Sequence, residues 1–174
     1  MKKYVKVLVA TGLSAGVLLG TVATSNAVDG TAQAAKEMKK PYYSYKGVFN
    51  HKSNDALKDK YFYQALKADN FKYEGLKVGE STKADMEKAW GKDVKSDGVE
   101  GGITYYTQNG VILGFDANDK LVDLALRVNE IKDNEKDIKA HVNSEGFYDA
   151  GMTQVSFFPG DVIVITAKDR VAQQ

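Results

Sequence analysis

Lysines and aromatic rings are interleaved through residues 35–95, a combination that suits contact with a nucleic-acid strand. This stretch holds 14 Lys against 9 acidic residues, a net charge of +5, and it also holds 10 aromatic residues. Ammonium groups pair with phosphates, and a ring that stacks on a base contributes about 1–3 kcal/mol without sequence preference. The candidate contacts for nucleic acid are Lys46, Lys58, Lys60, Lys67, Lys72, Lys77, Tyr43 and Tyr45.

The same residue types also have a purely structural interpretation. A chain of 174 residues needs large apolar rings to build a core, and lysines are the usual residues of solvated surfaces. If residues 42–49 form a strand, alternation sets Tyr43 and Tyr45 on one face and Tyr42 and Lys46 on the other. The two interpretations differ in whether the rings are buried or exposed.

Two further groups of polar residues resemble metal sites. His141 lies four residues from both Asp137 and Glu145, which would place one imidazole and two carboxylates on a single helix face. Residues 116–121 begin like a calcium loop, but Lys and Leu stand where a ligand and the sharp-turn glycine belong. Ordinary surface residues and a β-turn explain these groups better, so we predict no metal site and no cofactor.

Composition narrows the class of protein. The chain is 43% hydrophobic and 27% charged, as in soluble globular proteins. It has no Cys, which excludes disulfides, thiolate metal sites and cysteine nucleophiles. With only two His, both in polar contexts, the sequence predicts a protein that is not an enzyme.

The first 34 residues have the three parts of a secretory signal peptide. A positive start, Met1–Lys6, precedes an apolar run over residues 7–23 and two cleavage-like triplets that end at Ala27 and Ala34. A membrane anchor fits less well, because a span needs about 20 apolar residues and this run contains three glycines. We predict cleavage after Ala34, with Ala27 as the alternative, and a product that is extracellular or loosely attached to the cell surface, without membrane insertion.

Removal of this segment changes the charge balance. The whole chain carries a formal charge of +1, but the segment takes away 3 Lys and 1 Asp and leaves −1. Residues 96–174 hold 7 basic and 13 acidic residues, a net charge of −6. Any contact with phosphate is therefore expected in the basic half alone.

Periodicity and turn signals predict an α+β fold with a single compact domain over residues 35–174. Helical spacing runs through residues 57–68, 82–91 and 133–143, and Asp85 stands three residues after Thr82 as in a capping box. Alternating or β-branched runs predict strands at 42–49, 71–78, 103–107, 111–116, 121–128, 153–158 and 162–167. Asn109-Gly110 indicates a tight hairpin, and residues 92–102 read as a loop. We expect an antiparallel β meander and hairpins packed with about three helices.

Several blocks of sequence, in a fixed order, resemble the immunodominant staphylococcal antigen B family of small secreted proteins. The blocks are Pro41-Tyr-Tyr-Ser-Tyr-Lys-Gly47, Asp69-Asn-Phe-Lys-Tyr-Glu-Gly-Leu-Lys77, Asp85-Met-Glu-Lys-Ala-Trp-Gly-Lys-Asp-Val-Lys95, Gly102-Ile-Thr-Tyr-Tyr-Thr-Gln108 and Leu121-Val-Asp-Leu-Ala-Leu-Arg-Val128. The resemblance covers residues 41–128, and residues 129–174 form an acidic C-terminal extension. It implies a secreted or surface-associated virulence factor of a Gram-positive bacterium, an antigen without enzymatic activity that binds extracellular DNA or RNA.

A second function fits the same sequence. The acidic C-terminal half would bind a host protein, and the chain would act as a host-interaction module or immune antigen without any contact to nucleic acid. An inhibitor or chaperone of another secreted protein shares the same sequence features. Nucleic-acid binding through the basic half is the leading expectation, and protein binding is its alternative.

Overall fold

Helices and strands occur in separate blocks along residues 40–171, the part of the chain described by this computed structural model. In chain order the elements are β1 (Tyr43–Tyr45), a 3-10 turn (Ala56–Lys58), α1 (Lys60–Lys67), β2 (Phe71–Tyr73), α2 (Lys83–Trp90), β3 (Gly98–Glu100), β4 (Ile103–Gln108), β5 (Val111–Phe115), β6 (Leu121–Arg127), α3 (Asn134–His141), β7 (Phe147–Ala150), β8 (Thr153–Phe158), β9 (Val162–Ala167) and α4 (Lys168–Val171). The predicted α+β class is confirmed.

A seven-stranded antiparallel sheet carries most of the core. Its spatial order is β3-β4-β5-β6-β9-β8-β7, so two strands far apart in sequence, β6 and β9, pair in its interior. Residues 129–171 supply three of these strands, and residues 98–127 supply the other four. The acidic C-terminal segment is therefore hydrogen-bonded into the same sheet as the family-like segment.

One face of the sheet carries a continuous buried row of apolar side chains. The row crosses six strands in register: Tyr106, Leu113, Leu124, Ile165, Val155 and Tyr148. Two helices pack on this face. Tyr63 of α1 stacks with Phe157 at 6.2 Å between ring centroids, and Lys83 of α2 lies 5.8 Å from the ring centre of Tyr106. Burial of this row removes apolar surface of the sheet from water, which favours the packed arrangement.

The opposite face carries a mostly polar row, formed by the residue next to each member of the buried row. Its members are Tyr105, Gly114, Asp123, Thr166, Gln154 and Asp149. The short helix α4 lies on this row, because Arg170 pairs with Asp123 and Lys168 pairs with Asp149. Tyr105 also donates a hydrogen bond of 3.1 Å to Asp123. A Cβ at Gly114 would lie 2.8 Å from the Tyr105 ring, so only glycine allows this arrangement.

Strong local signals predicted several elements correctly. Asn109 and Gly110 have φ values of 56° and 76°, as the tight turn between β4 and β5 requires. The capping box of α2 is complete, since Thr82 and Asp85 each accept a hydrogen bond from the other's backbone N–H. The predicted helix over residues 57–68 is divided at Asp59, whose carboxylate accepts from the Tyr61 N–H at 2.8 Å and begins α1.

Other elements differ from the prediction. The expected strands over 42–49 and 71–78 contract to three residues each, and they pair with each other in parallel, whereas antiparallel strands were predicted. Residues with positive φ end both strands: Gly47 follows β1, and Glu74 and Gly75 follow β2. The expected loop over 92–102 contains the edge strand β3, which pairs with β4. The strand β7 on the opposite edge was also not predicted.

The predicted signal peptide, residues 1–34, lies outside the described residues. Within residues 40–171, no helix combines the length and the apolar character needed to cross a membrane.

Removal of one partner from the buried pair between Arg170 and Asp123 is expected to be strongly destabilising. Their side chains are 10% and 2% exposed, so Arg170→Met leaves the Asp123 carboxylate buried without a counter-charge. We expect a loss of about 3–5 kcal/mol in the free energy of unfolding, measured by urea denaturation. Lys139→Met is the matched control. It breaks an exposed pair with Glu135 and is expected to cost at most about 0.5 kcal/mol. Equal losses in the two variants would mean that the Arg170–Asp123 pair is not buried as described.

Candidate nucleic-acid interface

The ring of Phe62 joins α1 to the parallel pair of β1 and β2, which we call the ribbon. Its centroid lies 5.5 Å from that of Tyr43, 5.5 Å from Phe71 and 6.2 Å from Phe49. Phe62 and Phe49 are fully buried. Edge-on and tilted contacts of this kind add about 0.5–1.5 kcal/mol per pair to ordinary burial. The inner face of the ribbon is therefore part of the core.

Both candidate tyrosines belong to this inner face. Tyr43 contacts Phe62 and stacks with Phe71 at 6.3 Å. The Tyr45 hydroxyl donates to the Val48 carbonyl at 3.1 Å, and its ring packs edge-on against Phe49 at 4.8 Å. Burial raises the pKa of each of these two tyrosine hydroxyls. Both side chains are half-buried, so their rings serve the packing of the ribbon.

The outer face of the ribbon presents an exposed ring on the same side as two lysines. Lys72 of β2 lies opposite Ser44 of β1, and Lys46 and Tyr42 flank Ser44 on the same side of the strand. Tyr42 is 56% exposed and Lys46 is also exposed. Neither Lys46 nor Lys72 takes part in a salt bridge with any described residue. We call Tyr42, Ser44, Lys46 and Lys72 the ribbon face. Tyr42 was not among the sequence candidates, although strand alternation had already separated it from Tyr43 and Tyr45.

Two more of the candidates, Lys60 and Lys67, lie along the solvent side of α1 beside two residues that were not candidates. Lys60, Tyr61, Gln64 and Lys67 are all exposed, at a spacing that places them on one side of a helix. The Lys60 ammonium lies 5.2 Å from the ring centre of Tyr61. The Lys67 ammonium lies 4.4 Å from the ring centre of Tyr148 on β7. Neither lysine forms a salt bridge within residues 40–171. We call these four residues the helix face.

The two remaining candidates are already paired with carboxylates. Lys58 lies 2.7 Å from Asp55, and Lys77 lies 2.6 Å from Glu80. Hydrogen bonds from these lysines lower the pKa of each carboxyl. The pKa of Lys58 is raised, first by its bond to Asp55 and more weakly by two acidic residues at the start of α3. The six candidate lysines therefore fall into three sets: two on the ribbon face, two on the helix face, and two at separate places that are each paired with a carboxylate.

His141 contributes to packing between α3 and α1. Its ring stacks on that of Tyr63 at 4.3 Å, with the planes 4° apart. Its Nδ1 lies 2.8 Å from the Asp137 carbonyl, which can only accept, so Nδ1 carries a proton. Among the residues that the structure describes, no group of three or more His, Asp or Glu side chains is arranged to hold a metal ion.

Fold and surface together define a small α+β protein that offers lysines and exposed rings on its outer faces. The sequence matches no family model, and no solved structure is a significant match. Immunodominant staphylococcal antigen B from Staphylococcus aureus strains USA300 and NCTC 8325 / PS 47 is 30% identical to this chain over 153 residues. The match covers 66% of this chain and 86% of the relative. The chain belongs to the immunodominant staphylococcal antigen B family, and the predicted resemblance is confirmed.

Tyr42 and Tyr43 point to opposite faces of the ribbon, so their substitution is expected to have unequal effects on stability. Tyr43→Ala removes two ring contacts from the core and is expected to lower the free energy of unfolding by about 2–4 kcal/mol. Tyr42→Ala removes an exposed ring and is expected to change it by no more than about 0.5 kcal/mol. Urea denaturation of both variants measures the difference. Similar losses would mean that Tyr42 is also part of the core.

Alkaline pH is expected to destabilise the fold through buried tyrosine hydroxyls. Burial raises the pKa of Tyr73 to about 12, and its hydroxyl donates to the Gly47 carbonyl at 2.8 Å. Because the folded pKa lies above the unfolded value of about 10, the contribution of Tyr73 is complete below pH 10 and is lost as pH rises toward 12. Tyr73→Phe should make the decline of unfolding free energy over this range shallower by up to about 1.4 kcal/mol per pH unit. Urea denaturation at several pH values gives these slopes. Identical slopes for the two proteins would mean that ionisation of Tyr73 does not contribute to the alkaline loss of stability.

Proposed function

We propose that this chain is a secreted, non-enzymatic antigen that binds extracellular nucleic acid through the ribbon face. The exposure of Tyr42 on the same face as Lys46 and Lys72 carries the proposal, since neither lysine forms a salt bridge with a described residue. The pKa of the Glu80 carboxyl is lowered mainly by Lys77 and more weakly by Lys72, so Lys46 is the less engaged of the two lysines. The name of the curated relatives, immunodominant antigen, supports a protein that the immune system meets outside the bacterial cell. The predicted signal peptide supports the same location.

The chemistry of the ribbon face suits a flexible single strand. The ammonium groups of Lys46 and Lys72 would pair with phosphates, and the Tyr42 ring would stack on a base. Every base has a flat face, and ammonium groups do not distinguish one phosphate from another. Such a contact binds without reading sequence, and most of its salt dependence comes from counterions released from the strand.

The other candidate residues contribute to this proposed site indirectly or more weakly. Tyr43 and Tyr45 support the face from beneath, because their packing on Phe62 and Phe49 holds β1 in place. Lys58 and Lys77 contribute less to phosphate binding, because a phosphate would have to compete with Asp55 or Glu80 for each ammonium group.

Charge reversal on the ribbon face tests the proposal. The measurement is fluorescence anisotropy of a labelled single-stranded oligonucleotide of mixed sequence, titrated with purified protein at several salt concentrations. Lys46→Glu with Lys72→Glu should weaken binding at least about tenfold at low salt. The slope of log affinity against log salt should fall by about 1.4, as expected for two lost phosphate contacts on a single strand.

The matched control is Lys92→Glu with Lys95→Glu. It makes the same change in net charge at two exposed lysines of the segment before β3. We expect a smaller loss of affinity, because these lysines affect binding only through the overall field. Equal losses of affinity in the two double variants would show that the ribbon face is not the binding site. No change in anisotropy for the unmodified protein at low salt would overturn nucleic-acid binding and leave the protein-binding alternative.

A further inference from the structure

We infer that the helix face is a second nucleic-acid contact, and that the two faces together allow one molecule to bridge two strands. This inference rests on the proposed nucleic-acid binding of the ribbon face. The helix face has the same kinds of side chain as the ribbon face. Lys60 and Lys67 form no salt bridge with a described residue, and the Tyr61 ring is 56% exposed.

The two faces point away from each other. Successive residues of a helix turn by about 100°, so the exposed stripe of α1 lies opposite the side that carries Phe62. Phe62 in turn packs against Tyr43 and Phe71 on the inner face of the ribbon. The ribbon face is the reverse side of those same strands. One helix and one layer of strand thus separate the two faces, a thickness of about 20 Å with side chains.

A single short strand cannot lie on both faces at once without passing around the edge of the molecule. The route past the N-terminal end of α1 is unfavourable for phosphates, because Asp55 pairs with Lys58 there and acidic residues of α3 lie close enough to raise the Lys58 pKa. Two strands, one on each face, avoid this acidic region. At this end of α1 the arrangement therefore favours bridging over wrapping.

The helix face also has a geometric feature that suits a strand. Lys60 and Lys67 lie seven residues apart, which is about 10 Å along the helix axis, with Tyr61 and Gln64 between them. Cation–π contacts hold both ammonium groups over tyrosine rings and leave their remaining N–H donors free for phosphate oxygens.

A two-strand capture experiment tests bridging separately from binding. A biotinylated homothymidine oligonucleotide is fixed on beads, and a second, fluorescent homothymidine oligonucleotide is added with the protein. Homothymidine strands do not pair with each other, so fluorescence on the beads requires a protein bridge. Anisotropy with the fluorescent strand alone measures simple binding by the same preparations, and circular dichroism checks the fold of each variant.

The expected result is capture by the unmodified protein and by the control Lys92→Glu with Lys95→Glu. Lys60→Glu with Lys67→Glu should retain binding to one strand through the ribbon face while capture falls at least about tenfold. Lys46→Glu with Lys72→Glu, which weakens binding itself, should lower anisotropy and capture together. Excess protein should also suppress capture, because each strand then saturates with its own molecules.

Three outcomes would overturn the inference. If the unmodified protein binds in anisotropy but captures no second strand, bridging is wrong and nucleic-acid binding stands. If the helix-face variant captures as well as the unmodified protein, the bridge forms through one face, by self-association of the chain. If no binding is detected at low salt, the proposed function and the bridging inference fail together.

Discussion

Burial of the Phe62 ring is the interaction on which the surface geometry of this protein depends. The ring lies between α1 and the ribbon and contacts aromatic side chains from both. A strand pair of three residues each is too short to be stable alone. The ribbon therefore keeps its shape because Tyr43 and Phe71 are anchored on this ring. The same contact turns the polar side of each element outward and so creates the ribbon face and the helix face.

The large sheet supports the helix and the aromatic side chains that surround Phe62. Pairing of β6 with β9 joins the family-like residues to the C-terminal segment, and the buried row through Leu124 and Ile165 crosses that junction. On the other side of the sheet, α4 places basic side chains over Asp123 and Asp149. Two acidic residues of the C-terminal half are thus paired within the fold. Because Lys168 and Arg170 belong to the same half, these pairs leave its net charge of −6 unchanged and confine that charge to the remaining acidic residues.

Elements with local causes could be predicted from sequence, and elements with distant causes could not. The Asn109-Gly110 turn and the Thr82–Asp85 capping box depend on residues within four positions of each other, and both are confirmed. The edge strands β3 and β7 exist because β4 and β8 offer partners, and neither has a strong pattern of its own. The parallel pairing of the ribbon could not be predicted either. Side chains alternate in the same way along a strand in parallel and in antiparallel sheets.

The candidate interface shows the same limit at the level of single side chains. Alternation correctly separated Tyr42 and Lys46 from Tyr43 and Tyr45, but it could not say which side the Phe62 ring would cover. The summed charge also does not show which lysines are available to a ligand. Two lysines of the basic half are already paired with carboxylates of the same half. Four of the six candidate lysines remain outside such pairs, and the core separates them into two groups of two. Two ammonium groups give weak binding at physiological salt, so substantial affinity for a long strand requires several molecules or several faces acting together.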